Sequence, residues 1–245
     1  MFTLEKHRSS TYLSASLLRR QEGMIHAFGT RETGTNDERP MADLFGIRTD
    51  SFLTGTQVHG NHITLLDAKD PSSRYMPPGA ACDGFVTNRP RCAVGIRTAD
   101  CIPLLLADPA RRVVGAIHAG WKGTALGIAA QAIALFVDRF SCGPSDIIAV
   151  IGPAIGPCCY EVGNDVYEAM GSRVRRNAVF SDASSGGRRM LDLPGANRHQ
   201  LLDAGLSAGN IITIPLCTAC RRDLFHSRRA EGTGAGRQVS GIMLL

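Results

Sequence analysis

The residues best equipped for chemistry in this chain stand at the two ends of one stretch, residues 96–123, IRTADCIPLLLADPARRVVGAIHAGWKG. Cys101, preceded by Asp100, enters an apolar run at residues 102–107, and His118 leaves a second run, residues 113–117, into Ala119-Gly120-Trp121-Lys122-Gly123. Asp108-Pro109 separates the runs as a turn, which predicts a strand pair. In an antiparallel pair, Cys101 and His118 lie at the same end of the sheet. Two chemistries then compete. A histidine can activate a cysteine thiolate as a nucleophile, with Asp100 near enough to orient a ring nitrogen. Alternatively, Cys101 and His118 are two of three zinc ligands, and one coordination position stays open for catalysis. His59 is the best third donor, because it too stands between a strand-like segment and a glycine. A purely structural role, with Cys101 as a small buried hydrophobe, explains less about two residues placed at strand ends.

Other residue groups carry weaker chemistry. Gly120-Trp121-Lys122-Gly123-Thr124 opens a helix, and free N–H groups beside a cation suit an anion such as phosphate. Arg228, Arg229 and Arg237 supply planar forks that grip phosphate or carboxylate. Cys217 and Cys220 form a CxxC, half of a zinc ribbon or a redox motif. Cys158-Cys159 would complete a tetrad, but adjacent cysteines rarely both ligate one ion, so the plainer expectation is core thiols.

The surrounding sequence is that of an ordinary globular protein: 245 residues, 44% hydrophobic and 20% charged. The net charge of +5 comes from dispersed arginines, with only Lys6, Lys69 and Lys122 as lysines. No basic run interleaved with aromatics points to nucleic acid. The charged start MFTLEKHRSS is no signal peptide, and the longest near-apolar segment, residues 125–137, is too short to span a bilayer. The expectation is a cytoplasmic protein with reduced cysteines, no membrane association and no evident protein partner.

Short strands are expected at residues 25–31, on either side of His59, and at 85–87, 93–96, 147–155, 211–216 and 239–244. Residues 1–24 carry few signals and are expected to pack on the core of a single catalytic domain, 25–245; within them YLSASLLRR reads as strand or short helix. A short helix is expected at 40–45, a buried one after Thr124 as N-cap, and others at 161–174 and 194–204. Residues 32–39, 71–81 and 182–189 read as loops. Strands dominate and helices intervene irregularly, giving a mixed-sheet α/β (α+β) domain with flanking helices.

Gln57-Val58-His59-Gly60, Thr98-Ala99-Asp100-Cys101-Ile102-Pro103, His118-Ala119-Gly120-Trp121-Lys122-Gly123, residues 151–162 (IGPAIGPCCYEV) and Cys217-Thr218 together resemble one family. It is the zinc-dependent purine nucleoside phosphorylase family, also labelled laccase-domain or multicopper polyphenol oxidoreductase, matched in motif order over residues 25–245. The resemblance implies a fold related to a cysteine-dependent toxin deamidase domain. It implies zinc on His59, Cys101 and His118, catalysis involving Cys101, His118 and Asp100, and phosphorolysis of adenosine, guanosine, inosine and methylthioadenosine, with adenosine deamination as a second activity. Gln57, Lys122, Ser227, Arg229 and Arg237 then face the purine nucleoside and phosphate. Three departures stand out: a short Glu32-Thr33-Gly34-Thr35 segment, Ala230 where the family repeats arginine after Arg229, and Cys220 without a counterpart. The runner-up is a cysteine hydrolase or deamidase built on Cys101 and His118. Copper is the weaker choice of metal, since a multicopper oxidase needs many histidines and this chain has seven, scattered. A binding protein without activity is the remaining class.

Overall fold

The computed structural model of the chain describes residues 1–34, 37–70, 80–182 and 188–245. The strands, in chain order, are β1 (Phe2–His7), β2 (Ser10–Ala15), β3 (Met24–Gly29), β4 (Phe52–Leu53), β5 (Ile63–Leu66), β6 (Gly84–Thr87), β7 (Ala93–Thr98) and β8 (Ile102–Asp108). They continue as β9 (Val113–Ala119), β10 (Ile148–Ile151), β11 (Glu161–Val162), β12 (Phe180–Asp182), β13 (Arg189–Leu191), β14 (Ile211–Thr213) and β15 (Gln238–Leu244). The helices are α1 (Ser16–Arg19), α2 (Arg39–Phe45), α3 (Trp121–Ala125), α4 (Ile128–Phe140), α5 (Asn164–Met170), α6 (Arg176–Val179), α7 (Leu193–Asp203) and α8 (Arg228–Glu231).

Two six-stranded sheets carry the architecture, in the orders β1-β2-β3-β15-β7-β4 and β14-β10-β8-β9-β6-β5, with a small third sheet, β11-β13-β12. Both large sheets mix parallel and antiparallel pairs. The unbroken apolar runs of β8 and β9 follow from burial of both faces of the second sheet. Leu104 and Leu106 join α4 and α7 residues such as Phe136 and Leu201 in one core, whereas Leu105 and Ala107 share a second core with Phe28, Val94 and Ile242 of the first sheet. The outer face of the first sheet is covered by Met41, Ala42 and Phe45 of α2. The layers therefore run α2, first sheet, second sheet, then α4 and α7. Fully burying one such leucine stabilises the fold by ~1.5–3 kcal/mol.

Several expectations change. Residues 2–15 form a hairpin that extends the first sheet through β2 and β3. Its outer strand is an edge with Leu4 exposed and Glu5 turned inward to Ser14 and Tyr12, which hides the usual alternation. Thr124 caps no helix start: it lies inside α3, its hydroxyl accepts from Asn197 Nδ2 at 2.9 Å, and the chain breaks at Gly127 with φ 80° before α4 begins. Residues 161–174 start as strand β11 and turn helical only at Asn164. The segment read as a loop at 182–189 is bounded by paired strands β12 and β13, and its residues 183–187 lie outside the described residues. So do 71–79 of the expected 71–81 loop, and Thr35 with Asn36. The α7 start is as expected, with Pro194 in its first turn and Asp192 accepting from Gly195 N at 2.9 Å. Among the described residues no helix is long and apolar enough to cross a membrane.

Candidate metal centre and substrate cavity

Strand direction brings the reactive residues to one edge. β8 and β9 are antiparallel, with Ile102 opposite Ala119 and Pro103 opposite His118, so the start of one and the end of the other coincide. β6 is antiparallel to β9, and Gly84 faces Ile117, which sets Asp83 level with His118. β5 runs parallel to β6, so the loop before it, carrying His59, reaches the same edge. Parity does the rest. Leu105, Ala116 and Phe85 all point between the two sheets, and Cys101, His118 and Asp83 share their respective strand faces. From the first sheet, the end of β7 and the start of β15 arrive at the same place, because those strands are antiparallel.

The ligand atoms of His59, Cys101 and His118 all lie within 4.8 Å of one another. The two imidazoles meet edge to face, centroids 4.8 Å apart. Asp83, fully buried, organises them: its carboxylate accepts from His118 Nδ1 at 2.8 Å and from the backbone N–H groups of His59 at 2.9 Å and Gly60 at 2.7 Å. That bond fixes the His118 tautomer and leaves Nε2 for the Cys101 sulfur or a metal. Burial pushes the Asp83 carboxyl up, but the His118 hydrogen bond and the Gly60 and His59 N–H groups outweigh it and hold it below its usual value. Burial likewise opposes a Cys101 thiolate, yet the charge and hydrogen bond of His118, with a hydrogen bond from His59, bring its pKa down to about 6. His118 is pushed up to about 9: burial works against its cationic form, and the Cys101 charge and the Asp83 hydrogen bond prevail. A Cβ at Gly120 would stand 2.9 Å from Cys101 Sγ and 3.3 Å from His59 Cδ2, so glycine is required for the three groups to converge.

Two site residues other than glycine hold the left-handed backbone region, His59 at φ 60° and Asp100 at φ 89°. Such strain costs ~1–3 kcal/mol and persists only where neighbours enforce it. For His59 the enforcer is Asp83. Asp100 is held by Ile155 N, which donates to its carbonyl at 2.9 Å, and by three donors on its carboxylate: Thr218 Oγ1 at 2.6 Å, Ser227 Oγ at 2.7 Å and Arg229 N at 2.6 Å.

Asp100 therefore does not orient the His118 ring; Asp83 does. Asp100 anchors the segment that carries Arg228 and Arg229. A cavity of about 930 Å³ opens beside the His/Cys group, and its lining includes Arg97, Arg228, Arg229 and Arg237 together with Trp121 and Tyr160. It lies within the size range of small-molecule sites. Arg229 leans on Tyr160 at 5.2 Å and donates to the carbonyls of Cys159 at 3.2 Å and Glu161 at 2.9 Å. Arg237 reaches the carbonyl of Ala235 at 3.1 Å. Gln57 lines the cavity, but its amide is paired at both ends with the Arg97 backbone, 2.8 Å each way, extending the sheet edge as a surrogate strand. Two expected contacts are not brought in. Lys122 is exposed, its ammonium 5.6 Å above the Trp121 ring, and does not line the cavity. Ser227 is fully buried, its hydroxyl donating to Asp100 and accepting from Ala230 N at 3.2 Å to cap α8. Nor are Cys158, Cys159, Cys217 and Cys220 core thiols: they are exposed or half-buried, with their sulfurs within 4.8 Å of one another.

The sequence reading missed Asp83, Tyr160, Arg97 and Thr98. Asp83 was readable from Phe85, two residues on, had the β6–β9 pairing been known. Thr98 is among the residues bordering the cavity, and its hydroxyl is buried with no hydrogen-bond partner among the described residues.

Fold and site define an α/β protein with a His/His/Cys group able to hold a metal ion beside an arginine-rich cavity. The chain belongs to the family described as multi-copper polyphenol oxidoreductase laccase, which it matches over residues 25–245. It is 33% identical over 222 residues to purine nucleoside phosphorylase YlmD of Geobacillus stearothermophilus, covering 89% of this chain and 81% of that protein. It is 32% identical over 206 residues to adenosine deaminase RL5 of an unknown prokaryotic organism, covering 82% and 78%. The crystal structure of Bacillus licheniformis hypothetical protein YfiH superposes with a TM-score of 0.87 at 32% identity, over 99% of each chain.

Proposed function

We propose that this chain is a zinc-dependent purine nucleoside phosphorylase acting on adenosine, guanosine, inosine and methylthioadenosine with inorganic phosphate. One observation carries the reading: the His59, Cys101 and His118 donors and the arginines Arg228, Arg229 and Arg237 border a single cavity. The donor set fits zinc. It offers two imidazoles and a thiolate, a carboxylate fixing one imidazole, and a glycine that leaves the space between them free. Bound there, zinc would supply Lewis-acid polarisation of a phosphate or water oxygen.

The chain's own residues do the rest. Arginine forks hold the phosphate dianion, and the aromatic wall at Trp121 offers a flat apolar surface to the purine. Asp100 sets the Arg229 backbone, so the anion is positioned rather than merely attracted. A phosphate oxygen then bonds to the anomeric carbon as the glycosidic C–N bond breaks; the bonding pair leaves with the purine, which takes up a proton. The held phosphate stabilises the positive charge that develops on the sugar in the transition state.

A second reading has its own support. Cys101, His118 and Asp83 line up as nucleophile, base and orienting carboxylate, the arrangement of a cysteine hydrolase or deamidase. Adenosine deamination is a further activity, supported by the RL5 relative and by a donor set suited to activating water. The test is phosphate-dependent release of free base from inosine and adenosine, with metal content measured on the same preparation. Zinc-loaded protein that releases no base with phosphate overturns the proposal. Phosphate-independent ammonia release from adenosine points to deamination, and turnover by metal-free protein points to the cysteine nucleophile.

A further inference from the structure

We infer that Cys158, Cys159, Cys217 and Cys220 form a second metal site, a closed tetrathiolate that holds zinc in a structural role. No residue is shared with the His59–Cys101–His118 group. Two loops build it. The chain bridges in parallel at Ala154 and Cys217, with Thr218 N donating to Ala154 O at 3.1 Å, so the turn after β10 and the turn after β14 lie side by side.

The sulfur spacings suit a tetrahedral shell. Cys220 Sγ is 3.6 Å from Cys158 Sγ and 3.3 Å from Cys159 Sγ, and all four sulfurs fall within 4.8 Å. With metal–sulfur bonds of ~2.3 Å, a tetrahedral site has sulfur–sulfur edges of about 3.8 Å. A disulfide needs ~2.05 Å, well below either of these contacts. Adjacent cysteines can both take part here because the turn is tight. Cys159 N and Tyr160 N both donate to Gly156 O, at 3.0 and 3.1 Å, which curls the chain until both sulfurs reach Cys220. Gly156 N also points at Cys217 Sγ, at 3.3 Å, an N–H donor placed to stabilise a thiolate.

Four sulfurs this close cannot all ionise without a cation between them, and each coordinating thiol gives its proton to solvent when the metal enters. An all-sulfur, four-ligand set suits zinc and leaves no open position for substrate, which sets it apart from the three-ligand group. Its consequence reaches the cavity through one contact: Arg229 rests on the carbonyl of Cys159. Zinc here would staple the turn that holds that arginine to the turn after β14.

The test is elemental analysis of the full-length protein purified under reducing conditions without chelator. Two zinc ions per chain are expected for the wild type, one for Cys217→Ser/Cys220→Ser and one for Cys101→Ala. If the double variant does not fold, Cys101→Ala beside the wild type still decides. Cobalt(II) reconstitution should give the sulfur-to-cobalt charge-transfer bands of a tetrathiolate, which Cys101→Ala retains. Exposed Cys158 and Cys220 should resist iodoacetamide until a chelator is added. Zinc that falls to none in Cys101→Ala, iron in place of zinc, rapid alkylation without metal loss, or a disulfide among the four would each overturn the inference, whereas one zinc that Cys101→Ala keeps would count against the His59–Cys101–His118 centre alone.

Discussion

His118 donates its Nδ1 proton to Asp83 Oδ1 across 2.8 Å, and the same carboxylate receives the backbone N–H of His59. One buried side chain thus sets the ring orientation of one donor and the backbone of the other. It also explains how His59 tolerates a left-handed φ.

Asp83→Asn keeps an acceptor for the backbone N–H groups but removes the charge facing His118. The expected result is zinc binding weakened by about 10–100-fold, the usual effect of losing a carboxylate behind a ligating histidine. Competition with a chromophoric chelator measures it. Unchanged affinity in a folded variant would remove Asp83 from the metal centre.

Cys101→Ala and His118→Ala should each abolish both zinc at this centre and phosphorolysis, since two donors do not hold the ion in competition with buffer. Metal analysis paired with the phosphate-dependent base-release assay checks this. Full zinc retention with lost activity would transfer Cys101 from ligand to nucleophile.

The strand pair and its cysteine and histidine were legible because β8 and β9 are adjacent in sequence and their apolar runs are long. His59 was legible through its glycine neighbour and its motif. Asp83 was not, because its partner lies 35 residues away and only the β6–β9 register joins them. Asp100 was assigned the wrong partner for the converse reason: adjacency to Cys101 suggested a catalytic contact, whereas its donors come from residues 218, 227 and 229. The convergence of the four cysteines was not legible either, because it rests on the tight turn at Gly156 and the bridge between Ala154 and Cys217. Periodicity reads what is local; loop convergence is a tertiary property.

Asp100→Asn should act on phosphate binding through Arg229. The substitution removes the charge that holds Thr218, Ser227 and the Arg229 backbone, so the guanidinium loses its register. KM for phosphate should rise by about tenfold, equivalent to ~1.4 kcal/mol of lost binding, with zinc content unchanged. Arg229→Lys should raise it similarly, because an ammonium cannot reproduce the fork. A variant that loses kcat alone, with KM for phosphate unmoved, would contradict this positioning role.

His26 predicts how stability follows pH away from the site. It is a buried residue of β3, and its Nε2 accepts from Ala15 N at the end of β2 at 2.9 Å, which requires the neutral ring. Burial lowers its pKa from 6.5 to about 4, against a smaller raising effect of the Glu5 charge. Above about pH 6.5 the ring is neutral in folded and unfolded chains alike, and its contribution is complete. As pH falls from about 6.5 to about 4 the unfolded chain takes up a proton that the folded chain refuses. Stability then drops by about 1.4 kcal/mol per pH unit, roughly 3 kcal/mol over the window. His26→Gln supplies an amide oxygen for Ala15 N and nothing that titrates. Urea unfolding of both proteins at about pH 7 and about pH 5 should show the wild type losing ~2 kcal/mol more than the variant. Carboxylates that protonate in the same range cancel in the difference between the two chains. Equal losses would mean that His26 is protonated in the folded state, and the hydrogen bond to Ala15 would have to be abandoned.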